Sequence, residues 1–570
     1  MKDTGKATMT VAEAYLRLLK KRGVDYLFAN AGTDFAPIIE ALAGGGADRG
    51  EMPHPVIAPH ENVAVAMAMG HALISGRPQA VMVHVNVGTA NALCGLMNAS
   101  RLHVPMLFTA GRTPILEEGA PGARSGFIHW PQEMFDQGGI VREMVRWDYE
   151  LRDPRQLRQV VDRALAICRS SPAGPVYLTL PREVLAAPVT EIDLEAAPAL
   201  APVSAGRPPE SALQQVAGWI GTSRRPLLIT SATGRTAAAR AALEAFAAEH
   251  RIPVVTYTPR FAEISHDHPM NAGSDPNPLL GEADLVLVSE AMAPWIPGQA
   301  SPGRDCRVVQ IGEDPLFADL PMRSFPAHVA LSGAPAEIFS ALQAMARGDT
   351  PEAEAGRARD DWAARTTANA RVSRTVETLP DDAPPPPSEV TRAIAEIRGG
   401  APVFKESPLL LGDLGDTETG DYFFAGAAGG LGWSMGAALG ASLARGRKPV
   451  IVTTGDGSYM FNTPLAAHHV AASEGIPLLT VIYNNNAWHA VRRATHGMYP
   501  DGAAKAACPE PLTDFGVDFN YSKMMEVAGG HGERVDRMDE LRPALKRAMA
   551  AVEVGGQALV DVRIAHGRKS

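Results

Sequence analysis

The chain has 570 residues, more than one hydrophobic core accommodates, and its 46% hydrophobic and 20% charged residues point to a soluble globular protein of about three domains. A net charge of −10 argues against a nucleic-acid binder, which carries a basic face. No leader pattern stands in MKDTGKATMT, no apolar run is long enough to span a bilayer, and Cys94, Cys168, Cys306 and Cys508 lack C-x-x-C spacing. The expectation is a cytoplasmic protein with buried free thiols, no disulfide framework and no zinc site.

In chain order, VDYLFAN, HPVIAP, QAVMVHV, VPMLFTA and GPVYLTL read as strands of a first part, residues 1–187. An Ala/Pro-rich linker is expected over 188–210. RPLLIT, IPVVTY, ADLVLVS and RVVQIG are the strands of a second part, 211–347. A second linker, 348–388, has a charged middle compatible with a helix and ends in DDAPPPP. KPVIVTT, IPLLTVIY and QALVDVRI belong to a third part, 389–570. Continuous Val/Ile/Leu runs separated by amphipathic stretches predict parallel sheets covered on both faces. The expected fold class is α/β, with three consecutive parallel-sheet domains, whose ligands gather beyond the carboxyl ends of the strands.

Two motifs fall at such ends. Gly455-Asp456-Gly457 follows PVIVTT, and Asn484, Asn485 and Asn486 follow PLLTVIY. A right-handed crossover makes consecutive parallel strands neighbours, so Asp456 and Asn485 are expected to share one crevice. A carboxylate, an amide oxygen and a backbone carbonyl just beyond are hard oxygen ligands suited to Mg²⁺, which completes its shell with phosphate oxygens and water. Gly457 and Ser458 would open a helix whose N-terminal amides favour a phosphate. The residues themselves therefore suggest a magnesium-diphosphate site, against the plain alternative of a tight turn.

GDG followed by NN resembles the signature of thiamine-diphosphate enzymes of the pyruvate oxidase and decarboxylase group. The resemblance covers essentially the whole chain and implies pyrimidine-binding, middle Rossmann-like and diphosphate-binding domains, with thiamine diphosphate and Mg²⁺ as cofactors. It implies that Asp456, Asn485 and the carbonyl of Ala487 hold the metal, with Gly455, Gly457 and Ser458 at the diphosphate. Glu406 and Ser407, in FKESP, resemble a segment that touches the diphosphate. In APHENVAVAMAMGHAL, Glu61 could cap a helix N-terminus; the resemblance assigns it instead to N1′ of the aminopyrimidine, where a shared proton assists removal of the C2 proton. In AGAAGGLGWSMGAALGASLA, Leu431 stands where an apolar side chain wedges between the cofactor rings, and the Gly429 carbonyl accepts from the 4′-amino group. Met435 lies beyond, in the following helix.

The first domain is most similar to benzoylformate decarboxylases: FANAGTDF, the stretch from Val81 to Gly111, and VRWDYEL follow that pattern. Thr33 stands where a substrate-contacting Ser sits, and His84 where a catalytic histidine sits, an imidazole able to exchange protons near neutrality. The second histidine of that pattern has no counterpart; Trp295 and Pro297 occupy the region. GFIHWPQEMFDQ resembles a Gln-bearing segment of acetolactate synthases, which makes Gln132 and His129 candidates. His489 and Trp488, beyond the metal ligands, are candidates to replace the missing histidine, whereas His468 and His469 read as structural. TSATGRTAAA lacks the glycines of a dinucleotide loop, so FAD is possible but not supported by motif.

The reaction expected is decarboxylation or carboligation of a 2-keto acid. The alternatives are an acetolactate synthase-like carboligase, a lyase of 2-hydroxy ketones or 2-hydroxyacyl thioesters, and a non-catalytic family member. The joint presence of Glu61, Asp456 and Asn485 argues against the last. Expected partners are a small carbonyl substrate and further copies of the chain, at least a homodimer and as the larger assembly a homotetramer, with neither nucleic acid nor membrane. The resemblance implies that Glu61 and Asp456 reach one cofactor from different chains.

Overall fold

The computed structural model describes residues 9–45, 50–189, 192–198, 200–346, 353–372, 380–424 and 428–564. Three parallel sheets follow one another along the chain. The first contains β2 (Tyr26–Asn30), β3 (His54–Ile57), β4 (Ala80–Val83), β5 (Met106–Arg112), β6 (Asp148–Glu150) and β7 (Pro175–Pro181); β1 (Met9–Thr10) pairs antiparallel with β8 (Pro188–Val189) beside it. The middle sheet holds β9 (Pro226–Thr230), β10 (Val254–Thr256), β11 (Leu285–Ser289), β12 (Arg307–Gly312) and β13 (Val329–Ser332). The third holds β14 (Val403–Glu406), β15 (Tyr422–Phe423), β16 (Val450–Gly455), β17 (Leu478–Asn484), β18 (His531–Val535) and β19 (Gln557–Arg563).

Every apolar run expected as a strand lies on one. The strands not anticipated, β1, β6, β8, β13, β14, β15 and β18, are short or carry charged residues, so no continuous apolar run marks them. The sheet orders are β3-β2-β4-β5-β7-β6, β10-β9-β11-β12-β13 and β15-β14-β16-β17-β19-β18. The first and third orders are the same topology: second, first, third, fourth, sixth, fifth strand. The two outer domains are thus built alike, and equivalent strand ends carry different chemistry.

The outer domains meet through one helix from each, Glu61–Ser75 after β3 and Ser434–Ala444 after the glycine-rich loop that follows β15. These are topologically equivalent helices, and they cross almost backbone on backbone. A Cβ on Gly70 would lie 1.8 Å from the Ala437 carbonyl oxygen, and one on Gly440 would lie 1.9 Å from that of Met67. Both helices are buried along their length, and a single apolar core runs from Val63 and Met67 through Met435 and Leu439 to Phe404. Small residues here therefore serve close approach, and burial outweighs their poor intrinsic packing area.

The segment 348–388 is more than a spacer. Its helix Ala353–Val372 docks on the middle domain, where buried Arg359 donates to the Ser223 carbonyl at 2.6 Å and Trp362 Nε1 to the Pro226 carbonyl at 2.7 Å.

Candidate active site

β16 and β17 are adjacent, with Gly455 opposite Tyr483, so Asp456 and Asn485 emerge side by side. Asp456 opens the helix Asp456–Phe461 and is buried. Its Oδ1 accepts the Gly457 N–H at 2.9 Å, while Oδ2 is buried and has no partner among the described residues. Burial pushes its carboxyl from 3.8 up to about 6, against the pull of nearby amides of Gly457, Asn486 and Ala487. A buried carboxylate oxygen lacking any donor is what a hard cation would satisfy, so the donor set fits Mg²⁺.

The three asparagines separate cleanly. Asn484 is buried and donates to Asp561 Oδ1 at 2.9 Å, which ties it to β19. Asn485 stands at the strand tip, with Oδ1 accepting the Ala487 N–H at 3.1 Å. Asn486 turns the chain at φ +55, and the Ala487 carbonyl accepts the His489 N–H at 2.9 Å. Trp488 packs its ring where a Gly457 side chain would be: a Cβ there would lie 2.2 Å from it. Phe461 and Phe515 hold that ring edge-on. Gly457 is thus required for space at the helix N-terminus.

Glu61 begins its helix, is buried, and Oε2 accepts from Asn91 Nδ2 at 2.5 Å. The next residue, Asn62, donates to the Gly432 carbonyl at 3.2 Å, and Asn98 donates to that of Gly430 at 2.7 Å. These bonds join the start of the Glu61 helix, through Asn62, and the helix Leu93–Arg101, through Asn98, to the loop carrying Gly429 (φ +72), Leu431 and Gly432 (φ +90). Glu406 clamps the same loop, accepting from the N–H groups of Gly432 and Ser434 at 3.0 Å each and from Asn462 Nδ2 at 2.9 Å. Its carboxylate is therefore engaged in holding the loop, whereas Ser407 beside it accepts only the Leu409 N–H, at 3.3 Å. The Asn62 and Asn98 bonds join the first and third domains of one chain.

His84 follows β4 and is half-buried; its Nδ1 lies 2.5 Å from Oδ1 of buried Asp34 and its Nε2 lies 3.2 Å from Gln132 Nε2. The Asp34 contact raises the His84 pKa above the ordinary value in spite of burial, with Glu61 adding in the same direction. Thr33, next to Asp34, is exposed, and its carbonyl receives Arg182 Nη1 at 3.5 Å. His129 is buried, accepts the Ser125 N–H at 3.0 Å, and is held below the ordinary value by burial and by Arg182, Arg124 and His84.

The N-terminal TPP-binding domain of thiamine pyrophosphate enzymes matches residues 9–140, their central domain residues 213–342, and their C-terminal TPP-binding domain residues 414–562. The chain belongs to the thiamine-diphosphate-dependent enzymes. It is 29% identical over 505 residues to a probable 2-ketoarginine decarboxylase of Pseudomonas aeruginosa, covering 85% of this chain and 84% of the other. It is 27% identical over 561 residues to a benzoylformate decarboxylase of the same organism, 95% and 97% covered. It is also 26% identical over 590 residues to an acetolactate synthase large subunit of Mycobacterium tuberculosis, 100% and 99% covered. As a thiamine-diphosphate enzyme with these relatives it is a carbon–carbon lyase or transferase.

Other candidates of this thiamine-diphosphate enzyme are buried in its core or exposed at its surface. Trp295 is buried in the middle domain, edge-on to Phe325. His489 is exposed at the start of the helix His489–Met498, held below the ordinary value by burial and by Arg493 and Arg492. His468 is buried between Tyr459 and Gln557 and pushed down to about 4 by burial, hence neutral; His469 is exposed. The four cysteines are free, but only Cys168 and Cys306 are buried as expected, Cys94 and Cys508 being exposed; no helix among the described residues is long and apolar enough to cross a membrane. Asp34, Asn91 and Asn98 escaped the sequence reading. Asp34 lies inside the quoted FANAGTDF, where its carboxylate was the available signal.

The crevice at the middle strand ends is filled by the enzyme's own side chains. Glu263 Oε2 accepts from Thr230 Oγ1 at 2.9 Å and the Gly234 N–H at 2.8 Å, and Glu290 Oε1 accepts the Glu313 N–H at 2.9 Å. Burial pushes both carboxyls up to about 7. Arg235 leaves the crevice to donate to the Leu102 carbonyl at 2.7 Å.

Proposed function

We propose that the enzyme is a thiamine-diphosphate- and Mg²⁺-dependent decarboxylase or carboligase of a 2-keto acid, resembling benzoylformate decarboxylases in its first domain. The observation that carries this reading is the convergence of the Glu61 helix on the Gly429–Gly432 loop, with His84 within electrostatic reach of Glu61. Asp456, Asn485 and the Ala487 carbonyl would hold the magnesium; Gly455, Gly457, Ser458 and Ser407 would face the diphosphate. The Gly429 carbonyl, Leu431 and Glu61 would hold the aminopyrimidine end. Thiamine diphosphate, when bound, supplies a nucleophilic carbon and an electron sink for breaking or making a bond beside a carbonyl. Glu61 shares a proton at N1′; Asn91, bonded to Oε2, fixes the direction of its carboxylate. His84 moves a proton at the substrate carbonyl oxygen, and Thr33 and His489 border the substrate.

A second reading, acetolactate synthase-like carboligation, is favoured by Gln132, which the fold brings 3.2 Å from His84. Incubation with benzoylformate, pyruvate, branched 2-keto acids and acyloins decides between them. Carbon dioxide with free aldehyde supports decarboxylation, acetohydroxy acid supports carboligation, and acyloin cleavage supports the lyase alternative. No turnover of any of these overturns the reading.

The same reading includes a homodimer. Exposed Phe127, Phe135, Leu512 and Phe519 are apolar surface that a second copy would cover. Light scattering on the eluting active species tests it: a fully active 60.3 kDa particle, one chain, overturns it. Mixing inactive Glu61→Gln and Asp456→Ala proteins, with subunit exchange verified, asks whether the cleft is shared. Recovered activity means the two residues serve one site from two chains; none means that each chain closes its own.

A further inference from the structure

We propose that Asp34 is the positioning residue for His84, holding the ring with its proton on Nδ1 so that Nε2 faces Gln132 as the proton-exchanging atom. The proposal rests on the function proposed above for its kinetic consequence, but not for its geometry.

Asp34 is buried and reaches His84 Nδ1 at 2.5 Å with Oδ1, while Oδ2 receives the Val85 N–H at 3.4 Å. A carboxylate only accepts, so the hydrogen in the short contact belongs to Nδ1 and the lone pair of the neutral ring is on Nε2. Two glycines make room for the pair. A Cβ on Gly32 would lie 2.1 Å from His84 Nδ1, and one on Gly111 would lie 1.7 Å from Asp34 Oδ2. Val85, directly after the histidine, sits at φ +33, a costly conformation for a β-branched residue that the bond to Oδ2 helps to hold. One buried carboxylate therefore fixes both the ring and the backbone that carries it.

On the other side, Gln132 Nε2 lies 3.2 Å from His84 Nε2, and the Gln132 carbonyl accepts from Asn86 Nδ2 at 2.8 Å. Asn86 follows Val85, so the loop bearing Gln132 is tied to the same short helix, Val85–Asn91. The amide donates to a neutral ring; once Nε2 takes a proton, the amide must present its oxygen instead. Gln132 thereby registers the protonation state that Asp34 makes possible. The charged and titratable groups that act on the ring are Asp34, Glu61 and His129. Of these, Asp34 makes the direct contact, and it raises the pKa of His84.

The test uses the full chain with ¹⁵N-labelled histidine rings. Long-range ¹H–¹⁵N spectra report which nitrogen is protonated, and His84→Gln assigns the signal by its loss. The expected wild-type ring is protonated on Nδ1 and titrates above the ordinary histidine value. In Asp34→Asn the titration moves down by about one pH unit or more and the Nδ1 preference is lost. With benzoylformate and pyruvate, Asp34→Asn loses on the order of 10²-fold in kcat with little change in KM, and the acid limb of the profile moves to lower pH. A wild-type ring protonated on Nε2, or an unchanged titration in Asp34→Asn, overturns the proposal. Should the variant fail to fold, the wild-type spectrum alone decides. Absence of turnover and of C2-hydrogen exchange in the wild type would instead remove the functional reading, leaving the tautomer result intact.

Discussion

The first and third domains share one strand order, so their loops can be compared position by position. Asp456 follows β16, the third strand of its sheet, and His84 follows β4, the third strand of the other. One topological position thus carries a buried carboxylate in one domain and an imidazole in its counterpart. After the second strand comes the Glu61 helix in the first domain and the glycine-rich loop with its helix in the third. The difference teaches how a duplicated frame divides labour. Under the function proposed above, the third domain would supply oxygen ligands and amide-lined turns for charge, and the first the groups that hold and pass protons.

The most severe break of this comparison is Asp456→Ala, which removes the oxygen with no protein partner. It should abolish turnover and retention of thiamine diphosphate after dialysis while circular dichroism stays that of the wild type; full retention would show that the third domain does not hold the cofactor through Asp456. Glu61→Gln attacks the other half. Cofactor binding should persist, while C2-hydrogen exchange into deuterated water slows by roughly 10²–10⁴-fold, the usual weight of a positioned acid–base group. A wild-type exchange rate would take the proton role away from Glu61. Between these two lies the joint itself. Gly440→Val drives a side chain into the Met67 backbone, and an overpacked core of this kind costs about 1–3 kcal/mol, measurable as a shifted urea midpoint.

Legibility in the sequence followed the same division. Asp456 and Asn485 could be read because each sits at the end of a long apolar run, and runs announce buried parallel strands. Glu61 and His84 could be named only through the family resemblance, since an isolated Glu or His has an ordinary structural reading. Asp34 was passed over because its partner is 50 residues away and only the neighbouring order of β2 and β4 brings the two together. Likewise the three asparagines look equivalent in the sequence. The bond from Asn484 to Asp561 on β19, which removes it from the cleft, depends on a strand pairing that no local pattern encodes.

The middle sheet sharpens the comparison from outside, because its strand ends are filled. The Glu263 carboxyl is raised by burial from 4.5 to about 7. A group raised in the folded state favours folding fully below its unfolded value and loses that contribution as pH rises through the folded one. Between pH 4.5 and 7 Glu263 should therefore lower stability by about 1.4 kcal/mol per pH unit. Glu263→Gln keeps an oxygen for Thr230 and Gly234 and turns its amide to the side where Oε1 has no partner. Urea unfolding at pH 5, 6 and 7 should show a shallower decline in the variant, with turnover unaltered. An identical slope would mean that the carboxyl is ionised in the folded protein throughout this range.

The smallest effect expected is none. In a nucleotide-binding version of such a sheet, phosphate lies against backbone amides at the end of the first strand. Here the Gly234 amide is already bonded to Glu263 Oε2 at 2.8 Å, and a phosphate arriving there would have to displace a buried carboxylate of its own sign. The β11 and β12 ends repeat the pattern: a Cβ on Gly312 would lie 2.6 Å from Glu290 Oε1, so that side chain occupies the room a ribose would need. Arg235 is committed to the Leu102 carbonyl and lies over the Phe261 ring, so it is not free to offset a diphosphate. Addition of FAD or ADP at about 100 times a micromolar dissociation constant would raise stability by roughly 2.7 kcal/mol if either bound the native state. Thermal unfolding with each nucleotide should match unfolding without it. A clear upward shift would show that Glu263 and Glu290 swing aside, and the middle crevice would then rank with the outer ones as a ligand site.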